Sequence, residues 1–253
     1  MPTIRAGTLA YDTDHQVTGW HHHDLHQLEH AVEGVVEVET ALGRYLCPPS
    51  QAVWIPAGLE HNTVLDAVRS LSVFFDPGLF SDDVGSRVRV LAAVPVLREM
   101  MLYGLRWPIA RTAADADSEI YFAALALVVA NSLDQEQPLW LPTSADPFAA
   151  MIISYIRQHL ATVSVEMVAR EFSVSERTLR RRFQAAVGMS WREYVLQARI
   201  IRAMAELAQS DAAVLDVAVA VGFDSPSAFN RAFRAFTGTT PSDYRRHTGC
   251  AAG

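Results

Sequence analysis

The stretch VAVAVGFDSPSAFNRAFRAFTGTTPSDYRR (Val217–Arg246) decides how the C-terminal part of the chain is interpreted. A short apolar run ends at Gly222. Ser225 and Pro226 then precede a second, amphipathic run that stops at Gly238. Ser is a preferred N-cap residue, Pro is favoured at the first helical position, and Gly commonly follows the last turn of a helix. The stretch therefore predicts two short helices joined by a tight turn.

The same pattern occurs once upstream, at an offset of 50 residues. In VAREFSVSERTLRRRFQAAVGMS (Val168–Ser190), Ser175 and Gly188 align with the cap and the terminal glycine of the later unit. A supersecondary unit that recurs in this way indicates a tandem arrangement. Between the two units, Ser190 and Glu193 form a capping box that predicts the start of a long helix over residues 191–207.

The second helix of each unit combines an apolar face with a polar one. Leu179 and Phe183 recur at helical spacing in the first copy, as Phe229 and Phe233 do in the second. An ordinary bundle with solvated arginines is the alternative interpretation, and the duplicated, capped helix pairs argue against it. The side chains left for recognising base edges and phosphates are Arg177, Arg180, Arg181 and Gln184, then Ser227, Asn230, Arg231 and Arg234.

Residues 147–247 resemble the DNA-binding domain of the AraC/XylS family of transcription regulators. The match lies in Ala169–Ser190, in Trp191–Arg199 and most specifically in Val217–Arg246, although Pro226 stands where the family often has Gln. The resemblance implies that the two second helices enter successive major grooves of double-stranded DNA, and that RNA polymerase is a partner. The positions that match the family's base readers are Arg177, Arg180, Arg181, Ser227, Asn230 and Arg231.

Residues 1–80 have the pattern of β structure. Short runs rich in Val, Ile and aromatic residues alternate with turns that contain Gly and Pro. The predicted strands are Gly34–Glu39, Gly43–Leu46, Ala52–Ile55 and Leu71–Phe75. Such a series of short strands is typical of a small barrel or sandwich. The predicted fold class is therefore α+β and multidomain, with a β-barrel in front and an all-α domain with two helix-turn-helix motifs behind.

Residues 81–146 change to a helical period. Val88–Leu105 and Ser118–Leu133 are predicted helices, the first kinked or broken at Pro95, and Asp134–Asp146 is a predicted linker. The apolar faces of these helices can pack against the β-domain or against a second copy of the chain in a homodimer. The predicted domains are a sensor over residues 1–80, a helical connector over 81–146 and a DNA-binding domain over 147–253.

The charge divides the chain at the same boundary. Residues 1–146 carry 8 Arg and 19 acidic residues, a net charge of −11, whereas residues 147–253 carry 13 Arg and 9 acidic residues, a net charge of +4. A basic C-terminal half suits a polyanionic partner. The longest apolar run, Ile120–Ala130, has 11 residues, which is too short for a membrane span. With no secretory signal pattern, we expect a cytoplasmic protein without a membrane partner.

Histidines are concentrated in the predicted sensor, where seven of the nine lie within the first 61 residues. The spacing of His21, His23 and Gln27, followed by His61 after a Pro-Ala-Gly turn, resembles the two motifs of the cupin barrel. In cupins two His, a Glu and a later His bind one metal ion. Side chains two apart on a strand project from the same face. This spacing therefore predicts that His21, His23, Gln27 and His61 bind one divalent transition metal ion (Zn, Ni, Fe or Cu), because imidazoles suit these ions.

The other histidines match neither cupin motif. His22, His26 and His30 are expected to be surface or packing residues rather than ligands. Gln27 stands where cupins usually have Glu, so the predicted metal site has one negative charge fewer than usual.

Three functions remain open for the front domain: a metal-free pocket for a small-molecule effector, a structural or sensory metal site, and a catalytic cupin such as an oxygenase or isomerase. Catalysis is disfavoured because Gln27 cannot act as a base. The predicted function is a one-component, effector- or metal-responsive transcription regulator, either activator or repressor, with no catalytic residues. The alternative is a cupin metalloenzyme with an accessory helical domain. The front half also resembles a bacterial subgroup whose members often control a neighbouring transport or efflux gene.

Overall fold

The computed structural model describes residues 6–81, 87–112, 115–136 and 140–248. They group into two compact units, the first formed by the described residues of 6–39 and 45–136 and the second by 40–44 and 140–248. The strands are β1 (Ala6–Val17), β2 (His26–Thr40), β3 (Gly43–Cys47), β4 (Gln51–Ile55), β5 (His61–Phe75), β6 (Arg89–Ala92) and β7 (Trp140–Pro142). The α-helices are α1 (Pro95–Tyr103), α2 (Ala116–Leu133), α3 (Pro147–Gln158), α4 (Val165–Glu171), α5 (Glu176–Val187), α6 (Trp191–Gln209), α7 (Val214–Ala220), α8 (Pro226–Thr237) and α9 (Pro241–Thr248).

The first unit is built on an antiparallel β-barrel, as the sequence predicts. β1 pairs with β5 from Ala6 opposite Phe75 to Val17 opposite Val64. β5 also pairs with β2, while β4 lies between β2 and β6. The four predicted strands are confirmed inside β2 to β5. The sequence missed β1 and the first halves of β2 and β5, because the latter two carry polar side chains that are buried despite their polarity.

The predicted helix Val88–Leu105 is wrong in its first part. Arg89–Ala92 forms β6 and pairs with β4, and a short continuous apolar run does not distinguish a buried strand from a helix by its period. Of the two predicted effects of Pro95, the break is confirmed and the kink is wrong, because β6 ends at Ala92 and Pro95 begins α1, where its missing N–H costs nothing.

The predicted second helix is confirmed as α2, and one of its faces belongs to the core of the first unit. Phe122, Leu125 and Val129 are buried there with Trp54 and Phe75 of the barrel. α2 is long and apolar enough, by length and composition, to cross a membrane, and the core helix of a globular domain passes the same test. Intrachain packing is therefore confirmed for this face, while other apolar side chains of α2 are exposed.

The second unit contains the two predicted helix-turn-helix pairs, α4–α5 and α7–α8, with α6 between them. The Ser175 hydroxyl accepts a hydrogen bond from the Thr178 amide and begins α5, and Ser225 caps α8 in the same way. Ser190 and Glu193 form the predicted capping box of α6. α5 and α8 both end at a glycine, Gly188 and Gly238, with φ of 78°, a left-handed conformation that glycine adopts without strain.

The segment predicted as a linker, residues 134–146, includes the short strand β7. Residues 137–139 of this linker lie outside the described residues. Trp140 of β7 lies directly over Gly43, and a Cβ atom added to that glycine would come within 2.7 Å of the indole ring. Gly43 is therefore required by this close approach.

Candidate nucleic-acid interface and histidine cluster

α5 and α8 expose the predicted base readers of the second unit. On each helix these residues are spaced i, i+3 and i+4, so they share one face. The apolar positions face inward, with Leu179 and Phe183 of α5 and Phe229 and Phe233 of α8 completely buried. The six predicted readers are all exposed: Arg177, Arg180, Arg181, Ser227, Asn230 and Arg231.

Aromatic contacts fix the orientation of each of these two helices. The ring of Phe183 packs edge-on against Tyr194 of α6, with centroids 5.2 Å apart. In the second copy, Phe233 makes the equivalent contact with Tyr244 of α9 at 5.4 Å. Because a buried ring locks the rotation of its helix, the polar face of each helix is held toward solvent.

Most of the predicted readers are free to bind a ligand. The Arg180 guanidinium lies 3.2 Å from the Glu176 carboxylate, on the same helix and exposed to solvent. Within the described part of the chain, Arg177, Arg181 and Arg231 make no ion pair or hydrogen bond. By contrast, Arg182 stacks on the Phe148 ring at 3.8 Å. The unpaired guanidinium groups of Arg177, Arg181 and Arg231 suit forked contacts to guanine or phosphate.

In the first unit, the structure brings together the three histidines predicted to bind metal. The candidate ligand atoms of His21, His23 and His61 all lie within 4.8 Å of one another. His21 pairs with His61 through two backbone hydrogen bonds of 2.9 Å. The predicted reason for this convergence is wrong, because His23 lies outside the strands. An irregular segment between β1 and β2, rather than strand alternation, places its ring beside the other two.

Backbone carbonyl groups set the tautomer of each ring. A carbonyl oxygen only accepts hydrogen bonds, so the proton of each imidazole resides on Nδ1 and the lone pair on Nε2. This arrangement is usual for metal-binding histidines, whose second nitrogen donates to a carbonyl or carboxylate. The Nδ1···O distances are 2.8 Å for His21 to Gly19, 2.6 Å for His23 to Leu25 and 2.8 Å for His61 to Leu59.

His61 is the most buried member of the cluster. Burial, with the other two rings nearby, lowers the pKa of His61 to about 4, so the ring is neutral at pH 7. Its Nε2 atom is buried without a hydrogen-bond partner within the described residues. A buried lone pair of this kind costs free energy unless a donor or a cation meets it.

Gln27 is linked to the cluster through His23. Its Oε1 atom lies 2.8 Å from Nε2 of His23, and both atoms are acceptors in the tautomer fixed by the backbone. The amide nitrogen of Gln27 is already committed, since it donates to Glu29 and to Ser72 at 3.0 Å. A cation between the two acceptors would satisfy both, so the residues present fit a transition metal.

Glu29 and Ser72 were not predicted from the sequence. Glu29 is completely buried, and this burial raises the pKa of its carboxyl group to about 7. The Ser72 hydroxyl donates to the same carboxylate. Strand alternation was the available signal, because Gln27 and Glu29 are two apart on β2 and therefore share a face.

The histidines predicted not to bind metal are surface or packing residues, as expected. His22 is exposed. His26 is buried and its Nδ1 accepts a hydrogen bond from the Ala57 amide at 2.9 Å. His30 is buried with its Nδ1 2.8 Å from the Gln51 carbonyl oxygen. Burial lowers the pKa of both His26 and His30.

Two family models match this chain. An AraC-like ligand binding domain matches residues 6–93, and a helix-turn-helix domain matches residues 168–247. The HTH-type transcriptional regulator NimR of Escherichia coli K12 is 29% identical over 236 residues, which cover 92% of this chain and 84% of NimR. The HTH-type transcriptional activator RhaS of Escherichia coli SE11 is 32% identical over 132 residues, 52% of this chain and 46% of RhaS.

Among solved structures, the chain is similar to the C-terminal domain of AraT, a response regulator from Geobacillus stearothermophilus. The identity is 25% and the TM-score is 0.41, and the match covers 44% of this chain and 93% of that domain.

Proposed function

Because the chain belongs to the AraC/XylS family of transcriptional regulators, we propose that α5 and α8 bind double-stranded DNA in two successive major grooves. One observation carries the proposal: two equivalent helices, each capped by Ser and ended by Gly, bury their aromatic residues and expose their arginines. Arg177, Arg180 and Arg181 would read one half-site, and the other readers would be Ser227, Asn230 and Arg231.

The DNA-binding proposal is tested with the full chain and a random duplex library. Repeated selection should enrich one sequence motif, and the enriched duplex should be retarded in a shift assay when a scrambled duplex of equal length is not. If no motif is enriched and both duplexes behave alike, the assignment of α5 and α8 as readers is wrong.

We also propose that His21, His23 and His61 bind one divalent transition metal, with the Gln27 carbonyl oxygen as fourth ligand. The three Nε2 lone pairs and the acceptor-to-acceptor contact of Gln27 with His23 support this site. The donor set contains imidazoles and no carboxylate, and therefore favours Zn, Ni, Fe or Cu over Mg or Ca. When bound, the ion would link the start of β5 to the segment that precedes β2.

Elemental analysis of protein purified without a metal-affinity column tests the metal proposal. We expect close to one equivalent of metal in the wild type and loss of uptake in His61→Ala. The matched control is His22→Ala, because His22 is an exposed neighbour and its loss should leave uptake unchanged. Less than a tenth of an equivalent, with no uptake of added Zn, Ni or Fe(II), would show that the histidines form a metal-free site.

The role of the front domain is to sense. Its AraC-like ligand binding domain supports responsiveness to an effector, which we propose is either this metal or a small molecule. Chelation separates the two roles of a metal: a structural ion would lower the melting temperature of the barrel, and a signalling ion would change operator affinity. Family membership favours regulation over the cupin metalloenzyme alternative, and Gln27 offers no general base, so we infer that the protein is not an enzyme.

The remaining partners follow from the proposed regulation. We propose that the protein acts in the cytoplasm, contacts RNA polymerase and controls a neighbouring transport or efflux gene. A genome-wide map of its binding sites tests the last point, because the bound promoters should lie beside genes of that class. Sites scattered without such neighbours would contradict it.

We further propose a homodimer formed through α2. Ile120 and Leu127 are 71% and 64% exposed on this helix, and apolar side chains of this size favour burial. Sedimentation of the full chain at tens of micromolar should give a dimer, and Leu127→Glu should give a monomer. A monomeric wild type would contradict the proposal.

A further inference from the structure

A cleft of about 590 Å³ lies inside the second unit, between α5 and α8, with α6 as its floor. Four arginines contribute to it and no acidic residue does: Arg180 of α5, Arg192 and Arg199 of α6, and Arg231 of α8. The two walls of the cleft therefore carry proposed base readers, while the floor carries two arginines to which no role has yet been assigned. A concave surface with cations on three sides concentrates a positive potential.

Two of the four arginines are already engaged. Arg180 pairs with Glu176, and Arg199 donates hydrogen bonds to the carbonyl oxygens of Leu160 and Ala161 at 3.2 and 3.3 Å. Asp224, whose charge acts on Arg199, is not among the lining residues. Arg199 therefore has a structural role in holding the α3–α4 connection against α6.

Arg192 is exposed and has no ion pair or hydrogen bond within the described residues. It is the second residue of α6 and lies between Ser190 and Glu193, the two residues of the capping box. A cation at this end of a helix opposes the helix dipole, where an acidic residue would be favourable. Neither packing nor pairing compensates for this local conflict, and such conflicts are expected where a residue serves function rather than stability.

We propose that Arg192 binds the phosphodiester backbone of the DNA segment between the two half-sites. This proposal rests on the proposed binding of α5 and α8 in successive major grooves. If the two helices occupy neighbouring grooves, the sugar–phosphate strand that separates those grooves passes across the gap between the helices. That gap is the cleft, and its floor offers the Arg192 guanidinium beside the apolar Val195 and Leu196, which suit the deoxyribose carbon atoms.

Arg192 would therefore be a positioning residue rather than a base reader. Phosphate contacts fix the register of a protein on the duplex without reading its sequence. They also add to the salt dependence of binding, by about 0.9 in the slope of log K against log [salt] for each phosphate neutralised. A base contact would instead change the sequence preference.

The test is fluorescence anisotropy of the full chain on a labelled duplex enriched by the wild type, and on a scrambled duplex, from 50 to 200 mM NaCl. Arg192→Ala should weaken binding to both duplexes by the same factor and reduce the salt slope by about 0.9. Arg192→Lys should retain the slope, because a phosphate accepts a point charge. The matched control is Arg202→Ala, on the same helix, whose guanidinium pairs with Glu206 at 2.9 Å and which should leave the slope unchanged.

Three results would overturn the proposal. The first is an Arg192→Ala slope and affinity equal to those of the wild type while Arg231→Ala loses sequence preference, which leaves the proposed function standing. The second is a loss confined to the enriched duplex and not rescued by Lys, which would make Arg192 a base reader. The third is a wild type that enriches no duplex, in which case the proposed function fails and this inference fails with it. Since Arg192 is exposed, an unchanged melting temperature for Arg192→Ala verifies that the variant folds.

Discussion

The two units of this protein hold their reactive side chains in opposite ways. In the barrel, His61, Gln27 and Glu29 are buried, His21 and His23 are half-buried, and these side chains are bonded to one another or to the backbone. In the helical unit, the proposed readers are exposed and mostly unpaired. A cluster whose lone pairs on His61 and His23 lack donors suits a small cation that enters and meets them, whereas an exposed row of cations suits a long polyanion. This contrast explains why one chain needs both units.

The largest expected effect is a loss of stability that is confined to the core of one unit. Phe183→Ala removes a completely buried ring from the core of the helical unit, which should lower the free energy of unfolding by about 3–5 kcal/mol. Hydrogen exchange should show lost protection in α4 to α6, with β2 and β5 unchanged, because the barrel core contains none of these residues. Equal loss in both units would mean that they unfold as one.

The next largest expected effect is the loss of DNA affinity when one proposed base reader is removed. Arg181→Ala and Arg231→Ala occupy the same register of the two repeated helices, and each should cost about 1–3 kcal/mol of binding free energy if its contact to a base is forked. Metal uptake by the barrel should not change. Anisotropy on the enriched duplex measures the loss, with Arg202→Ala as control. Unchanged affinity in both variants would contradict the assignment.

Protonation of the buried histidines should destabilise the barrel alone. Burial lowers the pKa of His26, His30 and His61, so below pH 6.5 the unfolded chain binds more protons than the folded one and stability falls with pH. Glu29 opposes this loss, because burial raises the pKa of its carboxyl group to about 7 and the folded chain then binds that proton more readily than the unfolded one. In Glu29→Gln, which removes the opposing group, the loss between pH 7 and pH 5 should be about 1–2 kcal/mol, given the pKa of about 4 for His61.

Hydrogen exchange in the presence of a chelator, corrected for the intrinsic rate at each pH, measures this acid effect. His159 of the helical unit is exposed, so protection of α5 and α6 should not follow the same curve. His30→Asn should remove part of the decline in β2. A parallel decline in both units would contradict the contrast in burial.

The smallest expected effect is the loss of stability when the glycine that ends α5 is replaced. Gly188 has a φ of 78° and would meet no other atom within 4 Å if a Cβ were added. Gly188→Ala should therefore cost only the strain of the left-handed conformation, about 1 kcal/mol, and Gly188→Asn should cost less. Thermal unfolding of the helical unit measures both. A much larger loss would indicate a contact that this glycine allows.

The helical unit was predictable from the sequence because its signals are local. Ser175, Ser225 and the glycines that end α5 and α8 act within one turn of the helix. The spacing of these residues was therefore enough to predict both helix-turn-helix pairs, α4–α5 and α7–α8. The barrel was less predictable, because its strands owe their pairing to distant partners. Arg89–Ala92 is a strand only because β4 lies beside it, and nothing in the local period required that.

The candidate sites follow the same rule. Helical spacing placed all six proposed readers on exposed faces. The histidine spacing identified three side chains that do converge, although an irregular segment and not a strand positions His23. Glu29 was missed because no strand was predicted over the first half of β2, and only the folded barrel shows that Ser72, 43 residues away, meets it.

Hydroxyl-radical footprinting of the full chain on its enriched duplex tests the central claim most directly. We predict two protected tracts on one face of the duplex, about one helical turn or ~34 Å apart. Arg181→Ala should remove base preference in one tract and Arg231→Ala in the other. A single tract, or two tracts that neither substitution alters, would contradict the proposal that α5 and α8 read the DNA.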